Sequence, residues 1–386
     1  MASALRTHSK TLRGLGELGG GARRNGTRAS VLECGGPPPL FGALLSLAPA
    51  EAPEDWRTPG RFARRESWEV LRSKAPLLQL TVTQREPNLA SMILTGIGDE
   101  AGNTLDAQIR AVKELGWNQL EMRGVELPGF SKANFHDIPD KAFDLAVEKL
   151  KASGVGVYCF GSTIMNWAKK ATDPFDVTLA EVRRCVPRMQ RLGTRFVRIM
   201  SFKPGDDDER TPEVVFQRVG EVTRMFLDAG ITPVHENCMN YGGMSSSHAL
   251  ELLEKVPGLK WVFDTANPVF NPDRMKPRPW PRQDAWEFWT QVRGHVAHIH
   301  IKDATWNAAK NDADYNWPGE GQGRVRDILR DAFARGFDAG ISIEPHMVVV
   351  FHDAQSKSND DAMRANFVEY GRRLEKLIAE VRGEGQ

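Results

Sequence analysis

A (β/α)8 barrel is the fold this sequence predicts for residues 92–386. Three observations predict it. Eight short apolar runs alternate with amphipathic stretches, the pattern of parallel strands joined by helices. That region has about 295 residues, an ordinary size for such a barrel. Carboxylates and imidazoles stand at the C-terminal ends of consecutive runs, the face on which these barrels carry their chemistry.

The apolar runs occupy 93–97, 119–122, 156–160, 196–200, 232–235, 260–263, 296–301 and 340–343. Between the first two, LDAQIRAVKELG places apolar residues at 105, 109, 112 and 115, with Gly116 set to stop the helix. KAFDLAVEKLKASG, VTLAEVRRCVPRMQRLG, PEVVFQRVGEVTRMFLDAG and the closing MRANFVEYGRRLEKLIAEV continue the alternation. Pro187 is expected to kink its helix or mark a boundary. The rival fold is an open doubly wound sheet. GIGDEAG after the first strand lacks the third glycine of a dinucleotide loop, so no nucleotide cofactor is implied.

Residues 1–91 differ in kind. They hold 13 Lys and Arg against 8 Asp and Glu, which leaves 38 basic and 42 acidic residues for the rest. The segment is rich in Arg, Gly and Pro and shows little periodicity, so it is expected to be a low-complexity, disordered extension. Its basic charge also suits a nucleic-acid arm, and LFGALLSLAPA resembles a signal-peptide core. That run begins about 40 residues in, late for a secretory signal. Met92 directly precedes the first strand, and the expected start of the protein is this methionine. The net charge of +1 exerts no global pull on nucleic acid. No run of about 18 apolar residues exists to span a membrane. Four scattered cysteines form neither a CxxC zinc site nor a disulfide framework, and a cytoplasmic location is expected.

The strand ends carry the functional signal. Strand five ends PVHEN, with Glu236; strand six ends VFDTAN, with Asp264. Strand seven reads HIHIKD, with His298, His300 and Lys302 on one row, and strand eight leads into SIEPH, with Glu344. A barrel strand is normally Val, Ile and Leu, and a buried charge is costly unless paired or bound to a metal. Four neighbouring strands ending in such groups point to one divalent cation held by three carboxylates and an imidazole. That set suits Mn²⁺ or Mg²⁺, and its nitrogen also admits Co²⁺, Fe²⁺ or Zn²⁺. The metal would polarise a substrate carbonyl and stabilise an enediolate.

HEN at 235–237, DTANP at 264–268, HIHIKD at 298–303, GEGQGRV at 319–325 and SIEPH at 342–346 together resemble the xylose isomerase-like barrel superfamily. More narrowly they resemble its sugar phosphate isomerase/epimerase branch. The resemblance covers nearly all of 92–386 and none of 1–91. It implies Glu236, Asp264, His300 and Glu344 as metal ligands, with Glu236 and Glu344 as the acid/base pair. Inverting a carbon next to a carbonyl needs a base on one face and an acid on the other, and two carboxylates flanking one cation supply both. The family often has a histidine three residues after the aspartate. Here Asn267 stands there, which can bind a hydroxyl but cannot shuttle protons.

A further ring of candidates surrounds these. Glu121 is expected to bind a substrate hydroxyl or a ligand histidine, or else to pair with Arg123. Asp99 and Glu100 read as a turn and helix start, His235 as packing and His298 as structural. Lys302 and His346 are candidate substrate contacts, as is one of Trp306 or Trp317. The segment 304–323 is a candidate lid, the insert PVFNPDRMKPRPWPRQ a candidate lid or subunit contact, and the basic residues of the insert could instead grip an anionic substrate.

The function expected is a metal-dependent sugar isomerase or epimerase acting on a small-molecule sugar, with no nucleic-acid or membrane partner and a possible homo-oligomer. The alternative is a lyase or deglycosidase acting on a keto-glycoside with the same site. More remote are an endonuclease IV-like nuclease, which needs more histidines and a basic groove, and a sugar-binding protein without catalysis.

Overall fold

A computed structural model describes residues 92–348 and 359–384. The expectations for 1–91 lie outside the described residues. Eight parallel strands form the barrel: β1 Ile93–Gly96, β2 Gln119–Met122, β3 Gly156–Gly161, β4 Phe196–Ile199, β5 Thr232–Glu236, β6 Lys260–Asp264, β7 Val296–Ile301 and β8 Gly340–Ile343. Each is followed by a helix: α1 Leu105–Glu114, α2 Asp140–Ser153, α3 Phe175–Leu192, α4 Glu213–Asp228, α5 Ser246–Lys255, α6 Ala285–Val292, α7 Val325–Ala334 and α8 Asp360–Gly383. Neighbouring strands pair in order from β2 round to β8, and β8 pairs with β1. A parallel bridge from Ile97 to Glu121 closes the ring between β1 and β2.

The eight apolar runs therefore appear as eight barrel strands. Pro187 marks no boundary, because α3 continues through it. Pro187 is exposed and so is Arg183, whose carbonyl loses its helical partner, so water can take the freed group. Two antiparallel hairpins inside βα connections were not foreseen. One joins Gly124–Leu127 to Phe130–Asn134, the other Asp303–Asn307 to Asp312–Asn316. Among the described residues no helix is long and apolar enough to cross a membrane.

Two apolar layers hold the ring. The larger fills the space between strands and helices, where α1 buries Leu105, Ile109 and Val112 at helical spacing. The smaller plugs the lower lumen with Tyr158, Cys159, Val234 and Val262. The Tyr158 hydroxyl accepts the Gly340 N–H at 2.8 Å across that plug. Above it the inward row turns polar, and the site begins there.

His136, between the first hairpin and α2, is 1% exposed, and neither ring nitrogen has a hydrogen-bond partner. Burial pushes its pKa down to about 3, against the pull of Asp137. The unfolded chain protonates this ring near pH 6.5. Between those values the unfolded chain binds more protons, so stability is full above pH 6.5 and falls as the pH drops towards 3. Urea midpoints followed from about pH 7 to pH 4 should decline. In His136→Gln the slope should be smaller by up to one proton; an unchanged slope would contradict this assignment.

Candidate functional site

Strand alternation explains why the polar groups meet. Glu236 and Asp264 are the last residues of β5 and β6, His300 lies near the end of β7, and Glu344 directly follows β8. His300 is level with Asp264 on one side and Ser342 on the other. Donor atoms of Glu236, Asp264, His300 and Glu344 all lie within 4.8 Å of one another, and all four residues are buried.

The four groups are held from behind. His300 Nε2 lies 3.0 Å from Glu121 Oε2, which leaves Nδ1 facing the cluster, 3.7 Å from Glu236 Oε1 and 4.0 Å from Glu344 Oε2. Glu121 Oε2 also meets His298 Nε2 at 2.8 Å, and His298 Nδ1 donates to the Gly340 carbonyl at 2.9 Å. Glu236 accepts from Asn267 Nδ2 at 3.1 Å on one oxygen and from Arg198 Nη1 at 2.9 Å on the other. Asp264 Oδ1 accepts the backbone N–H groups of Ala266 and Asn267, while Oδ2 lies 3.0 Å from Lys302 Nζ. Glu344 is gripped by Arg123 Nη1 at 2.5 Å and Lys302 Nζ at 3.1 Å.

Electrostatics follow the distribution of cations. Burial raises the Glu236 and Glu344 carboxyls, but Arg198 and His300 together outweigh it at the first, and Lys302, His346, Arg123 and His300 together at the second; both end below the usual range. At Asp264 burial wins over Lys302 and lifts the pKa to about 7. For His300 burial opposes protonation, yet Glu121 and Glu236 raise it to about 10. The donor chemistry fits a divalent cation: three carboxylates beside an imidazole whose Nδ1 is buried without a hydrogen-bond partner. Glu121 on the opposite ring nitrogen is the usual orienting partner of a ligand histidine.

Of the expected site residues, the structure brings together Glu121, Glu236, Asp264, Asn267, His300, Lys302 and Glu344. His346 adjoins them, with Nδ1 2.9 Å from Glu100 and Nε2 3.8 Å from Glu344. Trp306 lines a neighbouring cleft. Trp317 does not line it; it packs against Tyr370 of α8, with the Arg373 guanidinium 4.2 Å over its ring. The Glu121–Arg123 pair is replaced by the Glu121–histidine contacts. Asp99 and Glu100 do open a short helix, but both also bind Arg123, at 2.9 and 2.7 Å, and so reach the site. His235 packs as expected, against Trp261 and Ser201. Arg123 and Arg198 were missed as partners of the two glutamates. A lone arginine inside the apolar run FVRIM was the available signal for Arg198.

The insert after β6 does not offer its basic residues freely. Arg274 donates to the Gly205 and Asp208 carbonyls, Arg278 pairs with Asp207 and Glu209, and Lys276 pairs with Glu287. It is a clamp on the loop after β4.

These features meet in one family. The xylose isomerase-like TIM barrel profile matches residues 109–366. The chain belongs to that family. No curated protein matches it in sequence. Among solved structures, a xylose isomerase-like TIM barrel protein from Mycobacterium smegmatis, in complex with magnesium, is similar with a TM-score of 0.53 and 15% identity, over 75% of this chain and 97% of that one. A D-tagatose 3-epimerase-like protein gives 0.55 and 16%, over 76% and 100%. The probable 3-DHS dehydratase AsbF of Bacillus anthracis gives 0.53 and 16%, over 72% and 97%. At these identities the likeness is one of fold.

The glycine-rich GEGQGRV segment is tied to the site's edge. Asp303 accepts backbone N–H groups from Gly319, Gly321 and Gly323 at 2.8–2.9 Å, which pins the second hairpin. A Cβ on Gly321 would sit 2.4 Å from Asp303 Oδ1 and 2.7 Å from the Ala304 carbonyl, which cannot swing aside. Gly321→Ala should therefore cost about 1–3 kcal/mol and speed protease cleavage within 304–323. A wild-type melting temperature and cleavage rate would refute this packing argument.

Proposed function

We propose that this chain is a divalent-metal-dependent isomerase or epimerase that moves a proton at a carbon next to the carbonyl of a small sugar. One observation carries the reading: four donor groups from four consecutive strands converge within 4.8 Å at the barrel mouth. Glu236, Asp264, His300 and Glu344 would hold the cation. When bound, it would polarise the substrate carbonyl and offset the negative charge that builds up as the proton leaves.

The chain's own groups do the rest. Glu236 and Glu344 stand three strands apart in the ring, so they approach a substrate from different sides. Arg198 and Asn267 aim the first; Arg123 and Lys302 aim the second. Both carboxylates are held ionised, the state a base requires. One, ionised, takes the proton from carbon; the other must first take up a proton from water, which it then gives to the opposite face in epimerisation, while return of the abstracted proton to the neighbouring carbon gives isomerisation. Asn267 Oδ1 is buried without a hydrogen-bond partner, placed to accept from a substrate hydroxyl. An amide does not titrate near neutral pH, so Asn267 takes no part in proton relay. That favours a second reading, in which the same base triggers elimination of a β substituent. Mg²⁺ or Mn²⁺ suits the oxygen-rich set. The thiols of Cys159 and Cys185 are buried, and a cytoplasmic setting is part of this reading.

Two measurements test this. Metal titration by calorimetry should find one high-affinity divalent site per chain. In Glu121→Gln, whose side chain no longer fixes His300 as an anionic acceptor, that affinity should fall about 10–100-fold. Unchanged affinity would remove Glu121 from the centre. Second, the metal-loaded protein in D₂O with a panel of ketoses, inosose and 3-keto-glycosides should catalyse deuterium uptake next to the carbonyl, followed by NMR. Glu236→Gln and Glu344→Gln should each abolish it, with metal content measured separately. Uptake that survives both substitutions would sink the acid/base assignment.

A further inference from the structure

Beside the four donors lies a cleft that none of them lines. Its volume is about 270 Å³, and Trp167, Met239, Met244, Phe270, Pro272 and Trp306 form its apolar wall. These residues belong to the loops after β3, β5, β6 and β7. Two links place the cleft against the centre. The Phe270 ring is 5.9 Å from Lys302 Nζ, which is 3.0 and 3.1 Å from Asp264 and Glu344. Asn240, another lining residue, donates from Nδ2 to the Glu236 carbonyl at 3.1 Å.

A bare polyol does not account for this wall. An indole can cover a sugar's C–H face, but hydroxyls turned against the phenyl ring and thioethers lose water without regaining hydrogen bonds. A flat aromatic group gains there, by stacking on the indoles and by thioether contact at its edge. The cleft is also prepared for one. The Arg282 guanidinium sits 3.7 Å over the Trp306 ring and donates to the Phe270 carbonyl, so the indole is fixed before anything binds. Its polar lining is mostly committed or peripheral: Asn240, Arg274 and Arg282 already donate to backbone carbonyls, and Asp206 and Asn311 add polar edges. Asn271 Nδ2 is a buried donor without a hydrogen-bond partner, and Lys203 is exposed at the rim. Both suit the oxygen of a phenol.

We propose that the substrate is a phenolic aryl keto-glycoside, its carbonyl and the neighbouring C–H between Glu236 and Glu344 and its aryl group in this cleft. The placement of the sugar end rests on the proton-transfer reading above; the cleft's preference for an aryl group does not.

The test is a matched pair of probes, 4-hydroxyphenyl β-glucoside and methyl β-glucoside, titrated into the metal-loaded full chain by calorimetry. Saturation-transfer NMR locates the contact. The aryl compound should bind about tenfold tighter, with the strongest transfer to its ring protons. The preference should collapse towards unity in Trp306→Ala, a half-buried hairpin position, and in Met239→Gln, with melting temperatures recorded for both. Equal affinities, failure of both probes to bind, or a preference that persists in both variants would overturn the proposal. Its failure is separable from that of the catalytic reading. Deuterium uptake from a ketose without aryl preference sinks only the cleft assignment; aryl preference without metal binding or uptake sinks only the catalytic one.

Discussion

Glu121, Glu236, Asp264 and Glu344 crowd their carboxylates into a lumen nearly closed to solvent, where like charges repel strongly and desolvation is costly. Most of the upper barrel answers this constraint. Arg198 is committed to Glu236, Arg123 to Glu344 with Asp99 and Glu100 behind it, and Lys302 is shared between Asp264 and Glu344. Glu121 is matched by two imidazoles. Asp264 is the group left short of positive charge, and burial accordingly lifts its carboxyl most visibly. The place where the chain's own cations run out is where a divalent ion has most to offer.

The same pairs also set aim. A carboxylate with a donor on each oxygen cannot rotate freely, and both Glu236 and Glu344 are bound in that way. Precision of this kind is what proton transfer at carbon demands, since a displacement of about 1 Å can cost orders of magnitude in rate. The supports come from rigid elements: Arg198 from a strand, Arg123 and Asn267 from the first residues after β2 and β6. Backbone N–H groups of Ala266 and Asn267 fix Asp264 without any side chain at all.

Much of this was legible in the sequence, for identifiable reasons. The strands announced themselves because a wall buried on both faces must be apolar, so Glu236, Asp264, His300 and Glu344 stood out against runs such as KWVFD. Arg123 and Arg198 were harder to read, because an arginine at a strand end is most often a surface group and only its partners reveal a lumen role. The two hairpins escaped because they lie in connections, where short alternation is too weak to outweigh turn residues. Trp317 was assigned by chemistry, since aromatic rings suit sugars. Its position depended on α8, a helix that arrives about fifty residues later in the chain and claims the ring for packing.

Separation of the two apolar layers from the polar lumen decides what a bound cation does for this molecule. The larger layer, with Leu120, Phe160, Trp261 and Phe367, lies outside the ring, and the plug of Tyr158, Cys159, Val234 and Val262 closes it below. Neither layer includes a candidate ligand. The lumen is already cross-linked by its arginines and by Lys302, so Glu236, Asp264 and Glu344 each have a cationic partner within the chain. A small domain that folds only around its metal has no such reserve. Here the cation would complete a charge pattern in a wall that stands by itself, and its removal belongs to the chemistry of the site more than to the integrity of the barrel.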